Sequence, residues 1–441
     1  MTEVFSCLAD NYSWHLTHIT RKILPQKHYR MEYLHQKVSV AHLKFGMYVS
    51  GLDRPWLESN FVFEGFHINK VGEIDRLREQ CDYVFVDPER GVPVPRNLEM
   101  TSQPPAEDKL ASVFRDPRGD ERYPLETTIE EECKEAHHCY DNTLDLVSTI
   151  MEEIKAGRSI KTQSIKQTLQ KMIASILRNP DAFMWLKQLK DKDGYTYAHC
   201  VDACGLAVAF GRHLGFSQAE LENLAVGTLL FDIGKLQLPE GLLTKPGRLT
   251  DKEYALIRRH VEFGVRTVSE MAGSTKEIIA VVLHHHERHD GKGYPRKVAG
   301  HQIPVNGRIA ALVDCYDAIT SDRPYSKAMS SYDAIQLMYE FRNKDFQADM
   351  VEQFIQCIGL YPAGTLIELS TGEVGIVLSQ NRLRRLRPKI ILILDKEKIA
   401  YDFSPSLDLI DDPTDNAGNI IEIRRPLQTE SYGIDARDYY I

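Results

Sequence analysis

The sequence contains no Cys-x-x-Cys pair, no internal repeat and no low-complexity segment. Its eight cysteines (7, 81, 133, 139, 200, 204, 315 and 357) are scattered through 441 residues. This distribution excludes a zinc ribbon and a disulfide framework and fits reduced thiols in a cytoplasm. No apolar run approaches the ~20 residues that a membrane-spanning helix needs. The N-terminus carries no signal-peptide apolar core. Basic residues are not in excess: the formal net charge is −9. The chain as a whole is therefore a poor non-specific binder of nucleic acid or anionic membrane, and a small anionic ligand would need a local basic pocket. What remains is an ordinary globular composition, 43% hydrophobic and 27% charged. The length exceeds one core and implies about two to four domains.

The texture of the chain divides it. Residues 1–34 are polar and irregular, with Trp14, His15, His18 and His28, and read as a flexible leader; Met31 reads as an alternative start. Residues 35–92 form a small α+β segment. Val38-Ser39-Val40 and Val84-Phe85-Val86 are strand-like, with a helix over Ile74–Gln80 between them. Asp53, Trp56 and Phe61 belong to this segment, which shows no ligand cluster. Residues 93–127 read as a linker, with Pro93, Pro95, Pro104, Pro105, Pro117 and Pro124 among polar residues. Residues 128–355 read as a bundle of about seven to nine helices. It starts at Thr128 with acidic residues in the first turn. The expected helices include Ile165–Arg178, Ala198–Leu214, Leu221–Phe231, Lys252–Met271, Thr275–His284, Val305–Ile319 and Tyr332–Asn343. From 361 to 427 the pattern turns β-rich, in Thr365–Leu369, Gly375–Leu378 and Ile390–Leu394, with a turn at Thr371-Gly372. Residues 428–441 are a tail. The fold class expected is mainly α and multidomain: a helical bundle between a small α+β domain and a small β-barrel-like domain.

The chemistry concentrates in the bundle. His284-His285-His286-Glu287-Arg288-His289-Asp290-Gly291-Lys292-Gly293-Tyr294-Pro295 masses histidines beside carboxylates, as metal ligation requires. Its Gly-x-Gly spacing allows a close backbone approach to a ligand. If His285 and His286 are helical, they point ~100° apart and could serve different ions; His284 then points elsewhere. Asp232 ends an apolar run beside Gly234 and Lys235. It reads either as a helix terminus with a glycine cap or as a carboxylate bridging two metals. Taken alone, His199 on an apolar helix reads first as a hydrogen-bonded core residue, and His260 as a solvent-facing one. Asp314 follows Ile309-Ala310-Ala311-Leu312-Val313 and should be buried, so it needs a metal, an arginine or several donors. His137-His138 reads as exposed, and Cys200 with Cys204 as core-facing. Arg382-Leu383-Arg384-Arg385-Leu386-Arg387 reads as an exposed basic hairpin or an acid-binding one.

Taken together over about 195–350, these pieces resemble the HD-GYP family of cyclic dinucleotide phosphodiesterases. In order they are Tyr197-Ala198-His199, Phe231-Asp232-Ile233-Gly234-Lys235, Leu243-Thr244-Lys245-Pro246-Gly247-Arg248-Leu249-Thr250 and His260. Then follow His285-His286-Glu287-Arg288, Asp290-Gly291-Lys292-Gly293-Tyr294-Pro295, Ile303-Pro304, Arg308-Ile309, Asp314-Cys315-Tyr316-Asp317-Ala318 and Ser321-Asp322-Arg323-Pro324-Tyr325. The segment 35–92 resembles a domain of unknown function that often precedes such domains, and the β-rich segment a C-terminal extension of some members. One position departs: the family has His-Asp where this chain has Phe231-Asp232.

The resemblance implies a helical HD-type bundle and two divalent metal ions, Fe or Mn in preference to Mg or Zn. His199, Asp232 and Asp314 would hold one ion. His260, His285 and His286 would hold the other, with Asp232 as the bridge. Members with three ions have Glu four residues before the first histidine, where this chain has Tyr195, so two ions are expected. The implied catalytic residues are Asp232 and Lys235, the latter serving the leaving 3′ oxygen. Tyr294, Asp317, Arg323 and Lys327 would bind substrate; Ser326 stands where the family often has a basic residue. Phe231 cannot ligate a metal and would leave an open position for water or a neighbouring side chain such as His284 or His289. The implied function is metal-dependent hydrolysis of cyclic di-GMP to pGpG, GMP or both in bacterial second-messenger signalling. The competing readings are an impaired domain that binds the dinucleotide or a protein partner as a regulator, and a hydrolase of another cyclic nucleotide. Cyclic di-GMP is the implied partner, without nucleic acid or membrane insertion; the flanking domains leave room for signalling partners and a homodimer.

Overall fold

The computed structural model describes residues 36–52, 66–69, 71–87, 91–92, 119, 121–158, 160–189, 195–243, 245, 247, 249–321, 328–381, 384–428, 431–434 and 439. The leader residues Trp14, His15, His18 and His28, the segment with Asp53, Trp56 and Phe61, and most of the 93–127 linker lie outside them. Two compact units divide the chain, Arg21–Asp116 and one that contains Pro117–Ile441.

The smaller unit is an antiparallel sheet with one helix. Strands β1 (Gln36–Ser39), β2 (Tyr48–Leu52), β3 (Phe66–His67) and β4 (Tyr83–Asp87) are ordered β1-β4-β2-β3, and α1 (Val71–Gln80) precedes β4. The period-2 pattern places Val84 and Val86 on the inner face. They meet Ile74 and Leu77 of α1, three residues apart on one helix face, with Val38, Met47, Val49 and Ile68.

The larger unit begins with α2 (Ile129–Lys155), entered through a reciprocal cap between Thr128 and Glu131. Then come α3 (Thr162–Arg178) and α4 (Pro180–Leu189), whose proline occupies the first helical position, where its missing N–H costs nothing. The centre of the bundle is built from α5 (Tyr195–His213), α6 (Gln218–Leu230), α10 (Lys276–His284) and α11 (Val305–Thr320), with α7 (Glu240–Leu243), α8 (Asp251–Arg258) and α9 (His260–Ser269) between α6 and α10. Helix α5 packs on α6 and α11, and α10 packs on the same two. From Cys200 to Arg212 every residue of α5 is buried, and α6 is buried from Leu224 to Leu230. Helices apolar on all sides belong at the centre. Polar side chains projecting from them therefore meet one another away from water. Helices α12 (Ser331–Glu340) and α13 (Ala348–Ile358) complete the bundle.

Two expected features change. The helix anticipated over Lys252–Met271 breaks at Arg259, which ends α8 and starts α9. There the Arg259 N–H donates to the Leu256 carbonyl, tightening the turn, and the His260 ring reaches back to the Ile257 carbonyl. Helices α4 and α13 are not among those expected. Helix α4 lies almost wholly inside the bundle, so an amphipathic stripe is weak there, whereas α13 carries a clear one, with Met350, Val351, Phe354, Ile355 and Ile358 buried.

The C-terminal sheet is antiparallel: β5 (Leu366–Leu369), β6 (Val374–Ser379), β7 (Lys389–Leu394), β8 (Ser406–Asp408) and β9 (Ile423–Pro426), in the order β8-β7-β6-β5-β9. The turn at Thr371-Gly372 joins β5 to β6, with Gly372 at φ +100°. Among the described residues β8 and β9 remain edges, so the sheet is not closed into a barrel. It joins the bundle through the Gln380 N–H, which donates to Asp181, and through Lys389 with Glu130. The basic hairpin is used internally: Arg384 pairs bidentately with Asp412, and Arg387 with Asp412 and Glu422.

A short 3₁₀ turn, Ile233–Gln237, follows Asp232 and packs on α9. Gly234 makes this approach: a Cβ there would stand 1.9 Å from the His260 carbonyl oxygen and 2.3 Å from the Gly264 nitrogen. Both obstacles are backbone. Gly234→Ala should therefore force the turn off α9 and destabilise the protein by about 1–3 kcal/mol, as overpacking does. Thermal unfolding of the two proteins checks this; an unchanged Tm would show that the turn relocates freely.

Candidate metal centre

Five elements deliver buried polar side chains to one point. His199 projects from the second turn of α5. Phe231 ends α6, and Asp232 starts the 3₁₀ turn that carries Lys235. His260 opens α9. His285 caps α10 and His286 lies just beyond it, so the two histidines diverge at a helix end rather than along a helix as expected. Asp314 and Asp317 lie one turn apart on α11. All of these side chains are nearly inaccessible to solvent.

The imidazoles are fixed from behind. His260 Nδ1 is 2.8 Å from the Ile257 carbonyl, and His285 Nδ1 is 2.8 Å from the Val282 carbonyl. A carbonyl only accepts, so each Nδ1 carries the proton and each Nε2 presents a lone pair. The two Nε2 atoms stand 3.3 Å apart. Asp232 Oδ1 lies 3.4 Å from the first and 3.8 Å from the second. Burial pushes His260 down to about 3 despite the pull of Asp232, lowers His285, and drives His286 well below its ordinary value. These rings are neutral at pH 7. Burial alone would raise Asp232, yet Lys235 and the surrounding histidines hold its carboxyl well below the usual range.

The ligand atoms of Asp232, His260, His285 and His286 all lie within 4.8 Å of one another. Asp232 Oδ1, both Asp314 carboxylate oxygens and both His286 ring nitrogens are buried without a protein hydrogen bond. Lone pairs converging in a dry interior are costly unless a cation meets them. The donor set, imidazoles with carboxylates, fits a divalent transition metal.

On the other side of Asp232, His199 Nε2 is 3.6 Å from Asp232 Oδ2 and 3.4 Å from Asp314 Oδ1. Asp314 Oδ2 in turn is 3.8 Å from His286 Nδ1. Lys235 Nζ is 2.7 Å from Asp232 Oδ2. Burial works against charge on His199, but Asp314 and Asp317 raise it to about 9.

Three expectations change here. Asp317, anticipated on the substrate side, is fully buried behind His199. Its Oδ2 is 2.6 Å from His199 Nδ1, and its Oδ1 is 3.0 Å from Lys187 Nζ. It orients the ring instead of meeting a ligand. The position beside Phe231 is not open: its ring is wholly buried, stacked on His199 at 5.6 Å and tilted against His285 at 4.9 Å. His284 does not take a ligand's place there, since its Nδ1 bonds the Ala280 carbonyl. Finally, the close approach made by Gly293 is to the protein itself: a Cβ would meet Glu287 Cα at 2.5 Å. Gly291 takes the left-handed region at φ +77°. The loop folds around buried Glu287, whose Oε1 accepts from the amides of Arg296 and Lys297.

That fold lays Tyr294 on His286, with ring centroids 4.6 Å apart. Arg258 holds its guanidinium 4.5 Å from the Tyr294 centroid. Arg323 and Lys327 lie outside the described residues. Lys292 is exposed and pairs with Asp290, and Lys245 pairs with Glu253, so neither faces the centre as a lone cation. His138 is exposed and half-exposed His137 pairs with Asp141, while Cys200 and Cys204 are core.

Sequence reading missed Lys187, Asp202 and Tyr140. Lys187 is held with raised pKa between Asp317 and Asp202, against the cost of burial. The Tyr140 hydroxyl donates to Asp202, which burial and Asp317 push up to about 7. No local motif marks these residues; only a lysine and an aspartate on otherwise apolar helices could have raised the question. Lys187→Met should leave Asp317 buried without its cation and loosen His199. Because supporting residues of metal ligands typically contribute 10–100-fold to affinity, a loss of about that size is expected in metal titrations. Unchanged affinity in a folded variant would remove Lys187 from the site.

An HD domain model matches residues 167–349, and a domain of unknown function (DUF3391) matches residues 35–165. The cyclic di-GMP phosphodiesterase PA4108 of Pseudomonas aeruginosa is 34% identical over 80% of this chain and 84% of its own length. The cyclic di-GMP phosphodiesterase response regulator RpfG of Xanthomonas campestris is 32% identical over 38% of this chain and 45% of its own. Among solved structures, Bd1817, an HDG"Y"P protein from Bdellovibrio bacteriovorus, matches 73% of this chain and 98% of its own at 14% identity and a TM-score of 0.38. With a relative at this identity over about four-fifths of both chains, an HD domain across the helical core and the motifs in order, the chain belongs to the HD-GYP family, with Phe231 at the position of the motif histidine.

Proposed function

We propose that this protein is a metal-dependent phosphodiesterase that hydrolyses cyclic di-GMP to pGpG, GMP or both. The observation that carries the metal dependence is the convergence of neutral imidazole lone pairs on Asp232 Oδ1 among nearly fully buried side chains. The substrate class follows from family membership and the name of the Pseudomonas relative. In this reading Asp232, His260, His285 and His286 hold one ion, and His199, Asp232 and Asp314 a second. A mixed His and carboxylate shell suits Fe or Mn better than Mg, which favours oxygen ligands and water. Bound there, the ions would offset the phosphodiester charge and acidify the attacking water.

The protein's own groups supply the rest. Asp317 and the backbone carbonyls fix the imidazoles, so no reorientation is needed when the substrate arrives. Lys235 Nζ donates to the bridging carboxylate, and in this reading it serves the leaving 3′ oxygen as general acid. Tyr294 offers a face for a guanine beside His286, and Arg258, Arg323 and Lys327 are the candidate phosphate holders. No helix among the described residues is long and apolar enough to cross a membrane. The described cysteines are buried free thiols, which suits a reducing cytoplasm. The small domains at either end are candidate surfaces for signalling partners or self-association. The receptor reading is not favoured: it would abandon this buried ligand set for the loss of one histidine.

Asp232→Ala should lose metal and turnover together, because it removes the shared carboxylate. Lys235→Ala should keep its metal and lose turnover by about 10²–10⁴-fold, the usual range for a general acid. Metal analysis after anaerobic purification, with parallel assays on cyclic di-GMP and 3′,3′-cGAMP, checks both. Metal release by Lys235→Ala would reassign that lysine to structure. Turnover of 3′,3′-cGAMP alone would replace the substrate.

A further inference from the structure

We infer that the two metal positions are unequal, one ion being held tightly by Asp232, His260, His285 and His286, and the second weakly because Phe231 fills part of its shell. This rests on the proposed metal-dependent function and adds a property specific to this chain.

The tight position has four donors within 4.8 Å of one another. Two of its imidazoles are preset by backbone carbonyls, so little is lost in ordering them. The second position has three side chains, His199, Asp232 and Asp314. Beside them stands carbon: the Phe231 ring is stacked on His199 and tilted against His285. That ring is fully buried, so water is displaced from there as well as imidazole. The carboxylate oxygen that faces His199 is the one paired with Lys235 at 2.7 Å, whereas the other oxygen faces His260 and His285.

The test uses the full chain stripped of metal and titrated with Mn²⁺ alone, read by metal content after desalting and by electron paramagnetic resonance. One Mn²⁺ per chain should survive desalting with the signal of an isolated ion. A second should bind at least about tenfold more weakly, the smallest loss that even an outer supporting residue usually causes. His199→Ala should keep the tight ion, and His260→Ala should lose it. Phe231→His should bring the second affinity towards the first and give an exchange-coupled pair. Two equal, coupled ions in the unaltered protein would overturn the inference, as would a His199→Ala variant that binds none. If one tight Mn²⁺ is found but cyclic di-GMP is not hydrolysed, the inference stands and the proposed activity falls. Absence of Mn²⁺ binding would overturn both.

Discussion

The centre of this protein is held together by an electrostatic demand. Asp232, Asp314 and three neutral histidines direct oxygen and nitrogen lone pairs into a space from which water is excluded. Such an arrangement is costly by itself and becomes favourable only with positive charge at its middle. Lys235 supplies some of that charge from within the chain, and the ligand set invites the remainder as metal. The surrounding architecture serves this demand. Five elements converge there, and the buried polar side chains they contribute face one another.

Precision comes from behind the ligands. Carbonyls at the ends of broken helices accept from His260 and His285, and a buried carboxylate backed by Lys187 accepts from His199. The break at Arg259 and the end of α10 are therefore part of the site's construction, since they free the carbonyls and turn the rings inward. The same economy shapes the loop over the mouth, where Glu287 gathers two amides and sets Tyr294 on His286.

Phe231 alters this scheme locally. It keeps the volume of an aromatic ring between His199 and His285 while removing a lone pair from one side of Asp232. Four of the buried donor side chains, Asp232, His260, His285 and His286, gather beside this ring.

The sequence alone determined the helical class of the core, the β-rich C-terminal segment and the candidate ligands His199, Asp232, His260, His285, His286 and Asp314. Periodicity is local, and the motifs preserve their order along the chain, so both survive in one dimension. Tertiary structure decided what local pattern cannot encode. It set Asp317 behind His199, because residues one turn apart on α11 face different neighbours across the bundle. It brought Lys187 and Asp202 under the site from two other helices. It left the C-terminal sheet open at its edges, a matter of strand pairing over long separations. It also filled the place beside Phe231 with the ring itself, because only the packing of α5, α6 and α10 fixes what lies between their ends.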